Sequence, residues 1–175
     1  MNITSEYVRG FADGEGCFTL GIAEKPRKTK RIQVYAVFSI TQAGDKGREL
    51  LEDIAKFLKC GKVYPQKQRN ERQQPSYKLF IYGIDDLTTK IIPFFDAHPP
   101  ITKIEIYAIW KEAIAIIKSN SVESGLPYHA LTEESMQDLF RLKLMLEELM
   151  PNSRSPLHRR GRWRKRITPS SSFPT

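Results

Sequence analysis

At 175 residues with 40% hydrophobic content, the chain has the material for one globular domain with a real core and not for two. It holds no run of about 18 apolar residues, and Met1-Asn2-Ile3-Thr4-Ser5-Glu6 lacks the basic and apolar regions of a secretory signal. An intracellular protein is therefore expected, with the compartment left open between a prokaryotic cytoplasm and an organelle. The net charge of +8 is segregated: residues 1–16 carry −2, 17–82 carry +8, 83–151 carry −5 and 152–175 carry +7. A polyanionic partner explains such segregation, and so does a solvated surface that keeps the protein soluble. Cys17 and Cys60, without secretory context or a Cys-x-x-Cys spacing, are expected to be reduced.

In chain order, residues 5–13 read as a short helix with Ser5 as N-cap and Glu6 in the first turn. From Cys17 to Ala23 the period becomes two, with Phe18, Leu20 and Ile22 alternating with Thr19 and Gly21. A basic turn (Lys25, Arg27, Lys28, Lys30, Arg31) leads to a second strand over Gln33–Thr41, where Val34, Ala36, Phe38 and Ile40 take one face. A helix is predicted from Gly44 or Asp45 to Leu58, with Gly61 as its stop. A second hairpin pairs Lys62–Gln68 with Ser76–Tyr82. Residues 86–97 and 102–118 read as helices separated by His98-Pro99-Pro100, because a proline pair forbids continuous helix. Asn120–Ala130 reads as a loop, and Thr132 caps a last helix that Pro151 ends. Strands joined by local hairpins cannot be parallel, so the class is α+β with a four-stranded antiparallel sheet. Residues 1–151 form the expected domain. The basic segment 152–175 has too little apolar content to order itself alone. Trp110 and the stripe Ile109, Ile114, Ile117 read as core.

The most informative segment is Tyr7-Val8-Arg9-Gly10-Phe11-Ala12-Asp13-Gly14-Glu15-Gly16. Gly10 and Gly14 fall on one helical face, where a missing side chain lets another helix approach almost backbone to backbone. Asp13 and Glu15 lie at the helix end, where unpaired carbonyls already make the field negative. A bound divalent cation explains carboxylates there; a turn in which Asp and Gly stop the helix does too. His98, His129 and His158 lack zinc-ligand spacing, and no Ser/His/Asp arrangement stands out.

Residues 8–16, Val-Arg-Gly-Phe-Ala-Asp-Gly-Glu-Gly, resemble the signature of the LAGLIDADG homing endonucleases, and the element order through residue 150 resembles that family's core. Arg9 and Gly14 stand where alanines are usual, and Glu15 where the second aspartate is. The resemblance implies a saddle-like DNA-binding sheet and metal-dependent hydrolysis of DNA at a long pseudo-palindromic site, with magnesium expected and manganese or calcium able to take the same donors. It further implies that Glu15 ligates the metal with the Gly14 carbonyl, that Gln42 orders solvent, and that Lys103 sits near the scissile phosphate. Asp13 would cap the motif helix of a partner. His98, within reach of the same loop, reads as an ordinary residue before Pro99.

One motif copy supplies one active site, so a duplex cut calls for a homodimer packed through Tyr7, Gly10, Phe11, Asp13 and Gly14. Each sheet would then lie along a major groove. Strand alternation selects Thr19, Gln33, Tyr35, Ser39, Lys62, Tyr64, Gln66, Gln68 and Lys78 as candidate readers, and the basic turn as a phosphate contact. Two alternatives remain from other classes: an RNA-binding splicing cofactor of the same fold acting on intron RNA, and a DNA-binding regulator that does not cut.

Overall fold

The computed structural model describes residues 2–24, 32–67, 74–124 and 131–150. The basic turn, Gln68, His129 and the segment 152–175 lie outside them. The described order is α1 (Ser5–Glu15), β1 (Gly16–Glu24), β2 (Ile32–Ala43), α2 (Gly44–Leu58), β3 (Lys62–Pro65), β4 (Ser76–Ile81), α3 (Ile84–Asp86), a π-helical stretch (Leu87–Ile91), α4 (Ile92–Ala97), α5 (Ile104–Ser124) and α6 (Glu133–Leu149).

The strands form one antiparallel sheet in the order β1-β2-β4-β3. Local hairpins give β1 with β2 and β3 with β4, and β2 with β4 joins them through pairs such as Ile40 with Leu79. Phe18, Leu20, Ile22, Val34, Ala36, Phe38, Ile40, Leu79 and Ile81 are all buried and join the core. Helices cover that face. Trp110 is fully buried and donates from Nε1 to the Thr19 carbonyl at 3.2 Å, which satisfies a backbone acceptor on the edge strand. The rings of Phe18, Phe38, Phe95, Tyr107 and Trp110 pack in tilted and edge-on pairs 5.1 to 6.4 Å apart. Ile114 and Ile117 are core as expected, while Ile109 is only partly buried and lines a groove between α5 and α6.

Several boundaries differ from those read in the sequence. Thr4, not Ser5, caps α1 by accepting from the Tyr7 N–H at 3.2 Å, and the helix continues through Glu15 into β1 without a loop. Gly16 makes that junction possible: a Cβ there would lie 2.5 Å from the Ala12 carbonyl oxygen. β3 ends at Pro65, although the Gln66 N–H still donates to the Ser76 carbonyl at 2.8 Å. Residues 87–91 widen to π geometry just ahead of Pro93. A proline lacks its N–H and crowds the carbonyl four residues back; a widened turn relieves that crowding, and the Thr88 and Thr89 hydroxyls take up the Ile84 and Asp85 carbonyls. Helix α5 runs through Asn120, predicted as loop, to Ser124. Asn120 donates to the Ile116 carbonyl and to Ser135, so a residue typical of loops is used to tie two helices together. Thr132 caps α6 as expected.

Candidate active site and nucleic-acid interface

Helix α1 buries Val8 and Ala12 and turns Tyr7, Gly10 and Gly14 outward. Phe11, half-buried, stacks on Tyr7 with centroids 5.8 Å apart. A Cβ built at Gly10 or Gly14 meets nothing within 4 Å. Neither glycine is therefore required by packing among the described residues, yet each costs a helix about 1 kcal/mol relative to alanine.

The C-terminal end of α1 is tied to residues 101–103 by two sets of bonds running in opposite directions. Asp13 accepts from the N–H groups of Ile101 (2.8 Å), Thr102 (3.1 Å) and Lys103 (3.3 Å), and from the Thr102 hydroxyl (3.1 Å). Lys103 Nζ donates back to the carbonyls of Ala12 (3.2 Å), Gly14 (3.2 Å) and Gly16 (2.7 Å). Asp13 thus binds the N-terminal approach to α5 of its own chain, where the resemblance implies that it caps a partner's helix. Partial burial works to raise the Asp13 carboxyl, but the bonds from Ile101, Thr102 and Lys103 outweigh it and hold the group below the usual carboxylate range. Burial lowers the Lys103 ammonium, against the pull of Cys17, Asp13 and Glu15.

Glu15, the last residue of α1, is exposed. Gln42 reaches this end of the sheet through the register: Gly16 pairs with Ile40, and Gln42 lies two residues further along β2, against Gly47 of α2. Gln42 is on the helix side of the sheet, with Ile40. His98 packs beside Phe94 at 5.3 Å, in keeping with a structural role. Cys17 is exposed and Cys60 buried, both unpaired with each other; burial raises the Cys60 thiol to about 11.

The donor chemistry at this end suits a hard divalent cation in part. Among the described residues no three His, Cys, Asp or Glu side chains gather into a metal-binding group. One chain offers the Glu15 carboxylate and the Gly14 carbonyl, and that carbonyl already accepts from Lys103. A carbonyl has two lone pairs, so both could be served, but a shell of six oxygens needs donors from outside this chain.

On the sheet's other face the alternation holds for the described candidates. Lys62, Tyr64, Gln66 and Tyr35 are exposed, and Thr19, Gln33 and Lys78 partly so. Ser39 departs from the expectation. It is 1% exposed, lying in the middle of the sheet between Cys17 and Phe80, where a short side chain does not clear its neighbours. Tyr35 lies flat across Gly21, where a Cβ would fall 2.1 Å from the ring. Thr41, Phe80 and Tyr82 were missed as members of this face. Alternation could have found all three, since Thr41 shares the parity of Gln33, Tyr35 and Ser39, and Phe80 and Tyr82 share that of Lys78; the register agrees, with Thr41 paired to Lys78 and Phe80 to Ser39 and Lys62.

A profile of the family described as LAGLIDADG endonuclease matches residues 8–114. The chain is 33% identical over 93 residues to "Probable intron-encoded DNA endonuclease 1" of Mycosarcoma maydis, covering 53% of this chain and 30% of that one. It spans 24% to 30% of the length of the curated relatives it matches. Among solved structures, the I-LtrWI LAGLIDADG homing endonuclease bound to target DNA superposes with a TM-score of 0.66 at 27% identity, covering 81% of this chain and 43% of that one. The homing endonuclease I-TnaI superposes with a TM-score of 0.67 at 25% identity, covering 86% of this chain and 96% of that one. With the signature on α1, the sheet it leads into and a family match over most of the described residues, the chain belongs to the LAGLIDADG endonuclease family.

Proposed function

We propose that this chain cuts duplex DNA at a specific site as a homodimer, with a divalent metal held by Glu15. The observation that carries the reading is the outward glycine face of α1, ending in an exposed carboxylate. Two such helices packed about a two-fold axis bring both Glu15 side chains together, and each chain adds its own oxygen donors to those of the other. A divalent cation bound there supplies positive charge that polarises a phosphodiester and makes bound water more acidic. The chain's own residues do the rest. Glu15 and the Gly14 carbonyl provide oxygens. Lys103, fixed at the end of α1, places a positive charge beside an incoming phosphate, and the Gln42 amide orients water by hydrogen bonding. The open sheet face lies on base edges. Residues 1–151 act as the nuclease domain, and the basic turn and the segment 152–175 add phosphate contacts.

The test is incubation of a randomised plasmid library with the protein and Mg²⁺. Site-specific double-strand breaks that Glu15→Gln reduces by on the order of 10²–10³, with duplex binding retained, are expected. Cutting by Glu15→Gln at the normal rate removes that residue from its role. Absence of any break, combined with tight RNA binding, favours a splicing cofactor instead.

A further inference from the structure

On the sheet face opposite the helices, exposed aromatic rings gather where β4 ends. Phe80 and Tyr82 stand there on the same side as Lys78, with rings 5.5 Å apart and tilted by 44°. Tyr82 is 63% exposed, the largest exposure of any aromatic among the described residues. Together with Tyr64, Gln66 and Lys78, the two rings line a shallow basin of about 370 Å³. Exposed aromatic area of this kind is not needed by the core, which lies on the other side of the sheet.

We infer that this basin reads an A·T pair in the major groove, with the thymine C5-methyl seated against Phe80 and Tyr82. The inference rests on the DNA-binding reading above and names what one part of that surface recognises. In the major groove only thymine presents a methyl group, and apolar side chains distinguish it by contact. The polar rim agrees: the Gln66 amide has the donor and acceptor needed for adenine N7 and N6, the pair on the opposite strand. The rival use of the site is guanine readout by Lys78. That ammonium lies 5.6 Å from the Phe80 ring centroid, in cation–π range, which draws it toward the ring and away from a free base edge. Lys62, paired with Phe80, remains exposed at the rim for phosphate.

The test uses the full chain and a duplex selected by it from a randomised pool, with binding measured as single thymines are replaced by deoxyuridine, which removes only the methyl. Loss of one buried methyl group is expected to weaken binding about fourfold at one position in each half-site. In Tyr82→Ser, and separately in Phe80→Thr, that penalty is expected to shrink toward onefold while replacements elsewhere keep their effects. The use of Tyr82, at the surface, keeps the result independent of folding. A deoxyuridine scan without any sensitive position, a sensitive position unaffected by either substitution, or a selected site with G·C throughout its half-site positions overturns the inference while leaving DNA binding intact. A pool that yields no bound duplex overturns it together with the DNA-binding reading. A methyl effect in a protein that never cuts supports the inference and sinks the nuclease.

Discussion

The end of α1 and the open face of the sheet, the two places proposed to carry function, are built in opposite ways. At the end of α1, nearly every polar group is committed: Asp13 accepts from residues 101–103, and Lys103 answers with three backbone carbonyls. On the open face where β4 ends, Tyr64, Gln66 and Tyr82 stand exposed on a sheet whose core lies on its other side. The first arrangement fixes geometry, which chemistry on a phosphate requires. The second leaves side chains that can be exchanged at little cost to the fold, which suits a surface that must match one sequence.

That contrast can be broken most directly at Lys103. Lys103→Met removes the three carbonyl bonds and the charge together, and cleavage is expected to fall on the order of a hundredfold, measured on a selected site under single-turnover conditions. Cutting within twofold of normal would show that the ammonium is only a structural tie. Asp13→Ala should lower stability by about 2 kcal/mol, moving the thermal midpoint down by about 4–8 °C; a substitution at Tyr82 should leave it within about 1 °C. The sign of its pH dependence follows from the depressed carboxyl. Because the folded value lies below the unfolded one of about 3.9, the Asp13 contribution is complete above that pH and fades as pH falls toward the folded value. The gap between wild type and Asp13→Ala should therefore narrow only in acid, and a gap that narrows near neutrality points to another group.

Gly10→Leu tests the outward face of α1. Since a Cβ at Gly10 meets nothing within 4 Å, the single chain should fold with equal or slightly higher stability, by up to about 1 kcal/mol. Sedimentation should nonetheless show monomers at concentrations where wild type dimerises, and a persistent dimer means the interface lies elsewhere. The last test sharpens rather than breaks the contrast. Removing residues 152–175, which carry +7, should flatten the salt dependence of DNA binding by as much as about 6 in log–log slope. The cleavage pattern at low salt should stay the same.

Much of this was legible in the sequence because local signals agreed with the final packing. The period-two pattern of Phe18, Leu20 and Ile22 against Thr19 and Gly21 gave both the strand and its inner face. The 7–16 segment drew attention to the end of α1 before any fold was known, and it lies within the family match over residues 8–114. What escaped was set by partners distant in the chain. The bonds from Ile101, Thr102 and Lys103 to Asp13 span about ninety positions, and no short-range pattern announces them. Ser39 has the right parity for a reader but lies too deep, a matter of neighbouring side-chain size rather than of alternation. Phe80 and Tyr82 share the parity of Lys78, so the alternation that selects Lys78 selects them too. Asn120 was read by its loop preference, which its bonds to Ile116 and Ser135 override.

The clasp between Asp13 and Lys103 also sets an order of assembly. Residues 12–16 leave the ribosome before the groups that hold them, which follow 87 to 91 positions later, and a loop of that length closes only after its ends exist. A nascent chain can form the first hairpin while the end of α1 stays unfinished. The end of α1 is completed only by this long-range closure, so a truncated product that stops before residue 101 lacks the lysine and the backbone donors together.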